Sequence, residues 1–108
     1  MKRINFQVLT FATALAVVLT FPLSAHAQDG ATLFKSKCSV CHGADGTGSS
    51  MGKKIGVRDL TSADVQKLSD AELADVIANG KNNMPKYGQS LKPEEIKGLV
   101  AYIRTLKK

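Results

Sequence analysis

The stretch Cys38-Ser39-Val40-Cys41-His42 decides how the rest of this chain is interpreted. Two cysteines separated by two residues, with a histidine directly after the second, match the pattern by which a polypeptide attaches haem. In that chemistry the two thiols add to the haem vinyl groups, and the histidine binds the iron as its proximal ligand. The spacing places both sulfurs on one helical turn along one edge of the porphyrin. We therefore expect one covalently attached haem c, with its iron.

The same pair of cysteines also fits three other kinds of site. A redox-active dithiol or a plain disulfide needs no histidine after the second cysteine, and the strand–helix–strand pattern of thioredoxin-like folds is missing. A structural zinc site needs four ligands, and beyond residue 27 the chain offers only Cys38, Cys41 and His42 as cysteine or histidine ligands. Haem attachment is the interpretation that uses all three residues.

Residues 1–27 have the features of a secretory signal peptide. A positively charged start is followed by an uncharged apolar stretch at 8–21, and Ala25 and Ala27 supply the small residues needed for cleavage after Ala27. An uncleaved membrane anchor is the less favoured alternative, because the apolar stretch is shorter than the roughly 20 residues of a spanning helix. Cleavage after Ala25 is a second, weaker alternative.

The rest of the chain, residues 28–108, is predicted to be one small domain in the periplasm. It carries 13 basic and 9 acidic residues, a net charge of +4, whereas the whole chain carries +6. This mild basicity, evenly mixed with acids, does not favour nucleic acid as a partner. No later segment is apolar enough for stable membrane insertion. A domain this small, in a chain with six aromatic residues, would have a thin core of its own.

The apolar periodicity predicts three main helices and no strand, so the expected fold class is all-α. The first helix should span about Asp29 to Lys37. The second should begin with a capping box at Ser69–Glu72 and end at Gly80. The third should begin at Pro93. Its predicted buried stripe consists of Ile96, Leu99, Val100, Ile103 and Leu106.

Between the first two of these helices lies a glycine-rich stretch, residues 43–61, without clear periodicity. A short helical turn is expected after it, at about 62–67. A loop this long is unusual in so small a domain, and it makes sense if the loop wraps a large ligand.

A second axial ligand for the iron can come from either of two methionines. Met84 precedes Pro85, which stiffens the backbone and leaves the methionine extended, so the side chain can point inward. Met51 lies among small residues only nine positions after His42, which makes the other haem face harder to reach. Met84 is the favoured ligand, with Met51 or an open iron position as alternatives.

With these features together, residues 29–107 resemble the class I c-type cytochromes, closest to the short soluble bacterial ones. The family pattern has a glycine and an aromatic residue in the first helix, matched by Gly30 and Phe34. The haem attachment motif and a Met-Pro pair follow, and a leucine and an aromatic residue in the last helix are matched by Leu99 and Tyr102. The resemblance implies a small cytochrome c fold whose first and last helices cross at nearly right angles.

The predicted function is that of a periplasmic monohaem carrier that passes single electrons between redox partner proteins. With His42 and Met84 filling both axial positions, no iron site is left for a substrate, so we expect no enzyme activity. Lys37, Lys81 and Lys86 should surround the exposed haem side of a soluble monomer and attract acidic docking patches. Two alternatives remain open: a haem subunit of a larger dehydrogenase or oxidase, and a sensor or peroxidase with an open iron position.

Contacts to the haem propionates and to the axial sulfur have several candidates. Arg58, Lys53 or Lys54 could pair with a propionate, although for the two lysines a solvated loop charge is the simpler interpretation. Tyr87 and Asn83 could donate hydrogen bonds to the axial sulfur or to a propionate. The sequence does not choose among these five residues.

Overall fold

The computed structural model of the chain describes residues 14–20 and 25–108. Throughout these residues the regular structure is helical, and no β-strand occurs among them. The expected all-α fold class is therefore confirmed. In chain order the elements are α1 (Ala25–Leu33), a π-helical turn (Phe34–Cys38), α2 (Ser39–His42), α3 (Ser50–Lys54), α4 (Ala63–Gln66), α5 (Asp70–Asn79) and α6 (Pro93–Thr105).

Much of the expected signal peptide lies outside the described residues. The part that is described, residues 14–20, is irregular, and its large apolar side chains are exposed. The expected cleavage site after Ala27 falls within the first turn of α1. Among the described residues, none of the helices has both the length and the apolar character required to span a bilayer.

The first helix is longer than the predicted 29–37. From Ala25 the backbone stays helical through α1, the π-helical turn and α2, and it ends only after His42. In the π-helical turn the Ser39 N–H donates to the carbonyl of Phe34, five residues earlier. The helix ends at Gly43, whose φ of +76° suits glycine. The prediction stopped too early because the apolar spacing of an α-helix does not continue through an inserted π turn.

The crossing of α1 with α6 brings two backbones into direct contact at Gly30 and Gly98. A Cβ atom on Gly30 would lie 2.1 Å from the Gly98 carbonyl oxygen, so no larger residue fits there. One turn further on, the Phe34 and Tyr102 rings pack with centroids 5.0 Å apart and planes tilted by 53°. The contacts implied by the family resemblance are therefore present.

Helices α5 and α6 begin close to where the sequence places them. Ser69 accepts from the Glu72 N–H and Glu72 accepts from the Ser69 N–H, which completes the predicted capping box. At the start of α6, the Glu95 carboxylate accepts from the Lys92 N–H at 3.0 Å, although lysine is not a preferred capping residue. The predicted stripe of α6 is buried except for Leu106, which is only partly buried.

The buried core consists of ten apolar side chains from the helices and their connections. Seven of them also line the large cavity described below, so core and cavity are continuous. The core residues are Phe34, Leu60, Val65, Leu73, Ile77, Leu91, Ile96, Leu99, Val100 and Ile103.

One wall of that cavity is fixed by Gln66 at the end of α4. Its side-chain amide donates to the carbonyls of Leu60, at 2.7 Å, and Ile103, at 3.0 Å. Arg104 of α6 donates to the carbonyls of Gln66, at 2.8 Å, and Leu68. Leu60, Leu68 and Ile103 all line the cavity. These bonds therefore tie the end of α6 to the α4–α5 connection behind that wall.

Candidate haem site

The two cysteines of the Cys-x-x-Cys-His motif lie three residues apart, about one turn, on one helical segment. Cys38 is the last residue of the π-helical turn, and Cys41 lies in α2. Both thiols are free, and both line the same cavity. Burial raises the pKa of the Cys38 thiol, while the charge of Lys37 partly opposes that shift. The pair is thus arranged as two separate thiols facing one space.

His42, the last residue of α2, also lines this cavity. Its Nδ1 atom is buried and has no hydrogen-bond partner among the described residues. Burial lowers the pKa of the imidazole, and the backbone of Arg58 acts in the opposite direction. The ring is therefore neutral at neutral pH, which is the form that binds a metal.

The cavity has a volume of about 950 Å³ and is bounded by several segments of the chain. Besides the motif, Met84 lines it from the α5–α6 connection. Met51 is half exposed on α3 and is not among the lining residues in the described part of the chain. The structure thus brings Cys38, Cys41, His42 and Met84 to one space and leaves Met51 outside it.

The glycine-rich stretch contains helix α3, which was not predicted because the stretch lacks apolar periodicity. Ser49 precedes this helix; its hydroxyl donates to the carbonyls of Val40 and Cys41, at 2.7 and 3.2 Å, and its N–H donates to Cys41 at 3.0 Å. Gly52 lies so close to α2 that a Cβ atom there would be 1.8 Å from the Cys41 oxygen. The stretch therefore caps the helix end that carries the motif. The sequence signal that could have predicted the start of α3 was a serine directly before the helix, with Gly52 at the third helical position.

Residues 80–87, here called the methionine loop, hold Met84 at the cavity. The loop begins at Gly80 and passes through Asn82, with φ angles of +73° and +54°. The Met84 N–H donates to the carbonyl of Lys81 at 2.9 Å, which closes a tight turn. At the other end the Tyr87 N–H donates to the carbonyl of Ile77, at 3.0 Å. The loop is therefore anchored to the last turn of α5.

Comparison with known proteins identifies the family. The sequence profile described as cytochrome c oxidase, cbb3-type, subunit III matches residues 25–103. A cytochrome c6 from Anabaena variabilis is 36% identical over 84 residues, which cover 73% of this chain and 90% of the relative. This chain belongs to the class I c-type cytochromes.

Two further relatives extend this result for the cytochrome. A solved structure described as the KustC0563 c-type cytochrome has a TM-score of 0.70 and 36% identity, and the match covers 74% of this chain and 99% of that one. The cbb3-type oxidase subunit FixP of Azorhizobium caulinodans is 35% identical over 82 residues, which cover 74% of this chain and only 27% of the subunit. The cytochrome therefore matches small proteins over nearly their whole length and FixP over one part.

The cofactor of the cytochrome is covalently bound haem c with its iron. The cavity residues fit this group: two free thiols, a neutral imidazole and apolar side chains surround a space within the core. Among the buried side-chain nitrogen and oxygen atoms of the described residues, only the Nδ1 of His42 has no hydrogen-bond partner. Membership of this family supports the function of a monohaem electron carrier.

The other candidates for haem contacts in the cytochrome differ in whether they line the cavity. Arg58 lines the cavity, whereas Lys53 and Lys54 do not line it in the described part of the chain. Asn83 and Tyr87 also line it. Their polar groups donate to backbone carbonyls of other cavity segments: the Asn83 amide to Ile55 at 3.2 Å, and the Tyr87 hydroxyl to Lys37 at 3.4 Å.

Proposed function

We propose that this cytochrome carries single electrons in the periplasm, with its haem attached through Cys38 and Cys41. In this proposal His42 and Met84 are the axial ligands of the iron. The supporting observation is that all four side chains line one cavity although Met84 is 42 positions beyond His42 in the sequence. The cavity position also favours Met84 over Met51, which is half exposed on α3.

The proposed ligand pair accounts for a carrier that makes and breaks no substrate bonds. Haem c supplies the one-electron couple between ferric and ferrous iron. The imidazole of His42 and the thioether of Met84 would both bind the iron, so a substrate would find no free position at the metal. Core residues such as Leu73 and Leu99 exclude water from the walls, which limits the rearrangement of solvent when the charge changes.

We also propose that residues 1–27 are removed on export and that residues 28–108 form the working protein. The support is the order of charged, apolar and small residues along the first 27 positions. Intact mass of the protein recovered from the periplasm tests both covalent steps, because it reports loss of the leader and addition of one haem. A mass that retains the leader would contradict this assignment.

Exchange of each methionine for alanine tests the axial ligand. Met84→Ala should abolish the methionine–iron charge-transfer band of the oxidised protein, lower the reduction potential and create binding of small ligands such as cyanide. The matched variant Met51→Ala should keep the band and the potential, because that side chain is half exposed and outside the cavity. The measurements are the absorption spectrum and a redox titration of both proteins.

The opposite pattern would contradict the ligand assignment. If Met51→Ala removes the band and Met84→Ala keeps it, the iron is bound by the other methionine. If the unmodified oxidised protein lacks the band and binds cyanide readily, the iron has an open position and the function is that of a sensor or peroxidase.

The proposed partners are redox proteins with acidic docking patches. The cytochrome is proposed to bind them as a monomer. Lys37 and Lys81 line the cavity and are exposed, and Lys86 is exposed on the methionine loop. Positive charges around the haem site would steer an acidic partner and raise the association rate more than the affinity. Such steering is screened beyond about 10 Å at 0.1 M salt.

Reversal of the two cavity lysines tests this steering. Lys37→Glu combined with Lys81→Glu should slow electron transfer to an acidic redox partner about ten-fold or more at low salt, and the difference should shrink as salt rises. The control, Lys97→Glu with Lys107→Glu, has the same net charge but changes α6 and the chain end. Stopped-flow kinetics measure both. Equal rates for the two double variants would show that docking does not use this surface.

A haem subunit of a larger oxidase is the second candidate function. It is favoured by the match to the cbb3-type subunit III profile and to part of FixP. Affinity purification from native membranes distinguishes the two. Recovery in a stable stoichiometric complex with oxidase subunits would favour the second candidate, and recovery as a free monomer would favour the carrier.

A further inference from the structure

Two hydrogen bonds connect the methionine loop to other segments that line the cavity. The Asn83 side-chain amide donates to the Ile55 carbonyl at 3.2 Å, across 28 positions of sequence. The Tyr87 hydroxyl donates to the Lys37 carbonyl at 3.4 Å, across 50 positions. All four of these residues line the cavity. The bonds thus join the loop to the end of α3 and to the π-helical turn.

Together with the intervening segments of the chain, these two bonds form a closed ring around the haem site. From Lys37 the chain runs through the motif and α3 to Ile55, and the Asn83 bond then leads into the methionine loop. The loop continues to Tyr87, and the bond from its hydroxyl to the Lys37 carbonyl closes the ring. At 3.4 Å the Tyr87 bond is long for a hydroxyl donor and therefore weak. Asn83 consequently provides the stronger of the two connections.

Asn83 contributes little to the packed core. Its side chain is exposed, and its acceptor belongs to Ile55, which is 44% exposed. Its neighbour Asn82 has a positive φ and helps to form the turn in which Asn83 and Met84 lie. Loss of the Asn83 amide would therefore release the loop from α3 while the buried core of the domain stays intact.

We propose that Asn83 is a positioning residue that keeps Met84 on the iron by tying the methionine loop to Ile55. This inference rests on the proposed function, because it requires Met84 to be the axial ligand. A competing ligand can bind the iron only after the methionine has moved away. The Asn83 bond therefore slows the exchange of Met84 for an external ligand.

Imidazole binding to the oxidised protein tests the proposal. At saturating imidazole the observed rate approaches the rate at which the methionine leaves. Asn83→Ala should raise this limiting rate about five-fold, the effect expected from one net hydrogen bond. The control Asn79→Ala removes an exposed asparagine whose amide donates to Asp75 in the same helix, and it should leave the rate unchanged. Thermal unfolding should change little in either variant.

Two further variants separate the possible failures. Asn83→Asp keeps the shape but loses the donor, so it should raise the rate at least as much as Asn83→Ala. Met84→Ala should bind imidazole without the slow limiting step; if it keeps the methionine band, the proposed ligand is wrong. If Met84→Ala behaves as expected but both Asn83 variants exchange at the unmodified rate, the positioning role of Asn83 is wrong.

Discussion

Replacement of Cys38 or Cys41 by alanine should leave a chain without stable haem attachment and largely unfolded. The predicted mature domain has 81 residues, and domains of this size are only marginally stable by their own burial. Here the core is continuous with a cavity of about 950 Å³, which the protein side chains alone do not fill. An unfilled apolar space of that size costs more than so small a core can offset.

The control for this experiment is Val40→Ala. Val40 lies between the two cysteines; it lines the cavity but is 60% exposed and outside the buried core, so its truncation changes the motif without removing a thiol or a core side chain. It should retain covalent haem and a normal melting curve. Haem staining of denatured protein, circular dichroism and limited proteolysis report attachment and folding. A haem-free cysteine variant with native-like helical content and a cooperative melt would contradict the prediction.

Replacement of Gly30 by alanine should strongly destabilise the cytochrome, although alanine normally favours a helix. The added Cβ would lie 2.1 Å from the Gly98 oxygen and 2.6 Å from its carbonyl carbon. Both are backbone atoms of α6, so no side chain can rotate away, and the two helices must separate. Overpacking of this kind costs about 3 kcal/mol, which outweighs the gain of about 1 kcal/mol from replacing glycine in a helix.

Chemical denaturation of the holoprotein measures this effect, and the neighbouring exposed residue gives the control. Asp29→Ala changes the same helix on its exposed side and should shift the free energy of unfolding by no more than about 0.5 kcal/mol. The Gly30 variant should also disturb the Phe34–Tyr102 contact, which lies in the same crossing. A Gly30→Ala protein as stable as the unmodified one would show that the two helices can part without cost.

Local signals in the sequence account for the parts of the fold that were predicted well. The capping box of Ser69 and Glu72 forms from residues three positions apart, and Gly80 and Pro93 act on their own backbone. The buried stripe of α6 repeats with the helical period, so it needs no knowledge of the partner helix. The haem motif is likewise local, since its function depends on five consecutive residues.

Other features depend on residues far apart in the chain, and the sequence did not predict them. Helix α3 is stabilised where Ser49 bonds to Val40 and Cys41, and Gly52 matters because the Cys41 backbone lies against it. The π-helical turn interrupts the period on which the first helix was predicted, which put the predicted end at 37 and not at His42.

The sequence by itself determined the all-α class and the attachment motif, and it favoured Met84 over Met51 as the axial ligand that we propose. Each of these follows from chemistry or stiffness within a few neighbouring residues. Only the tertiary structure decided that Met84 shares a cavity with His42, and that Asn83 bonds to Ile55. Such contacts form between segments that meet only after the helices pack, and the energy of each depends on distances that no local pattern of residues encodes.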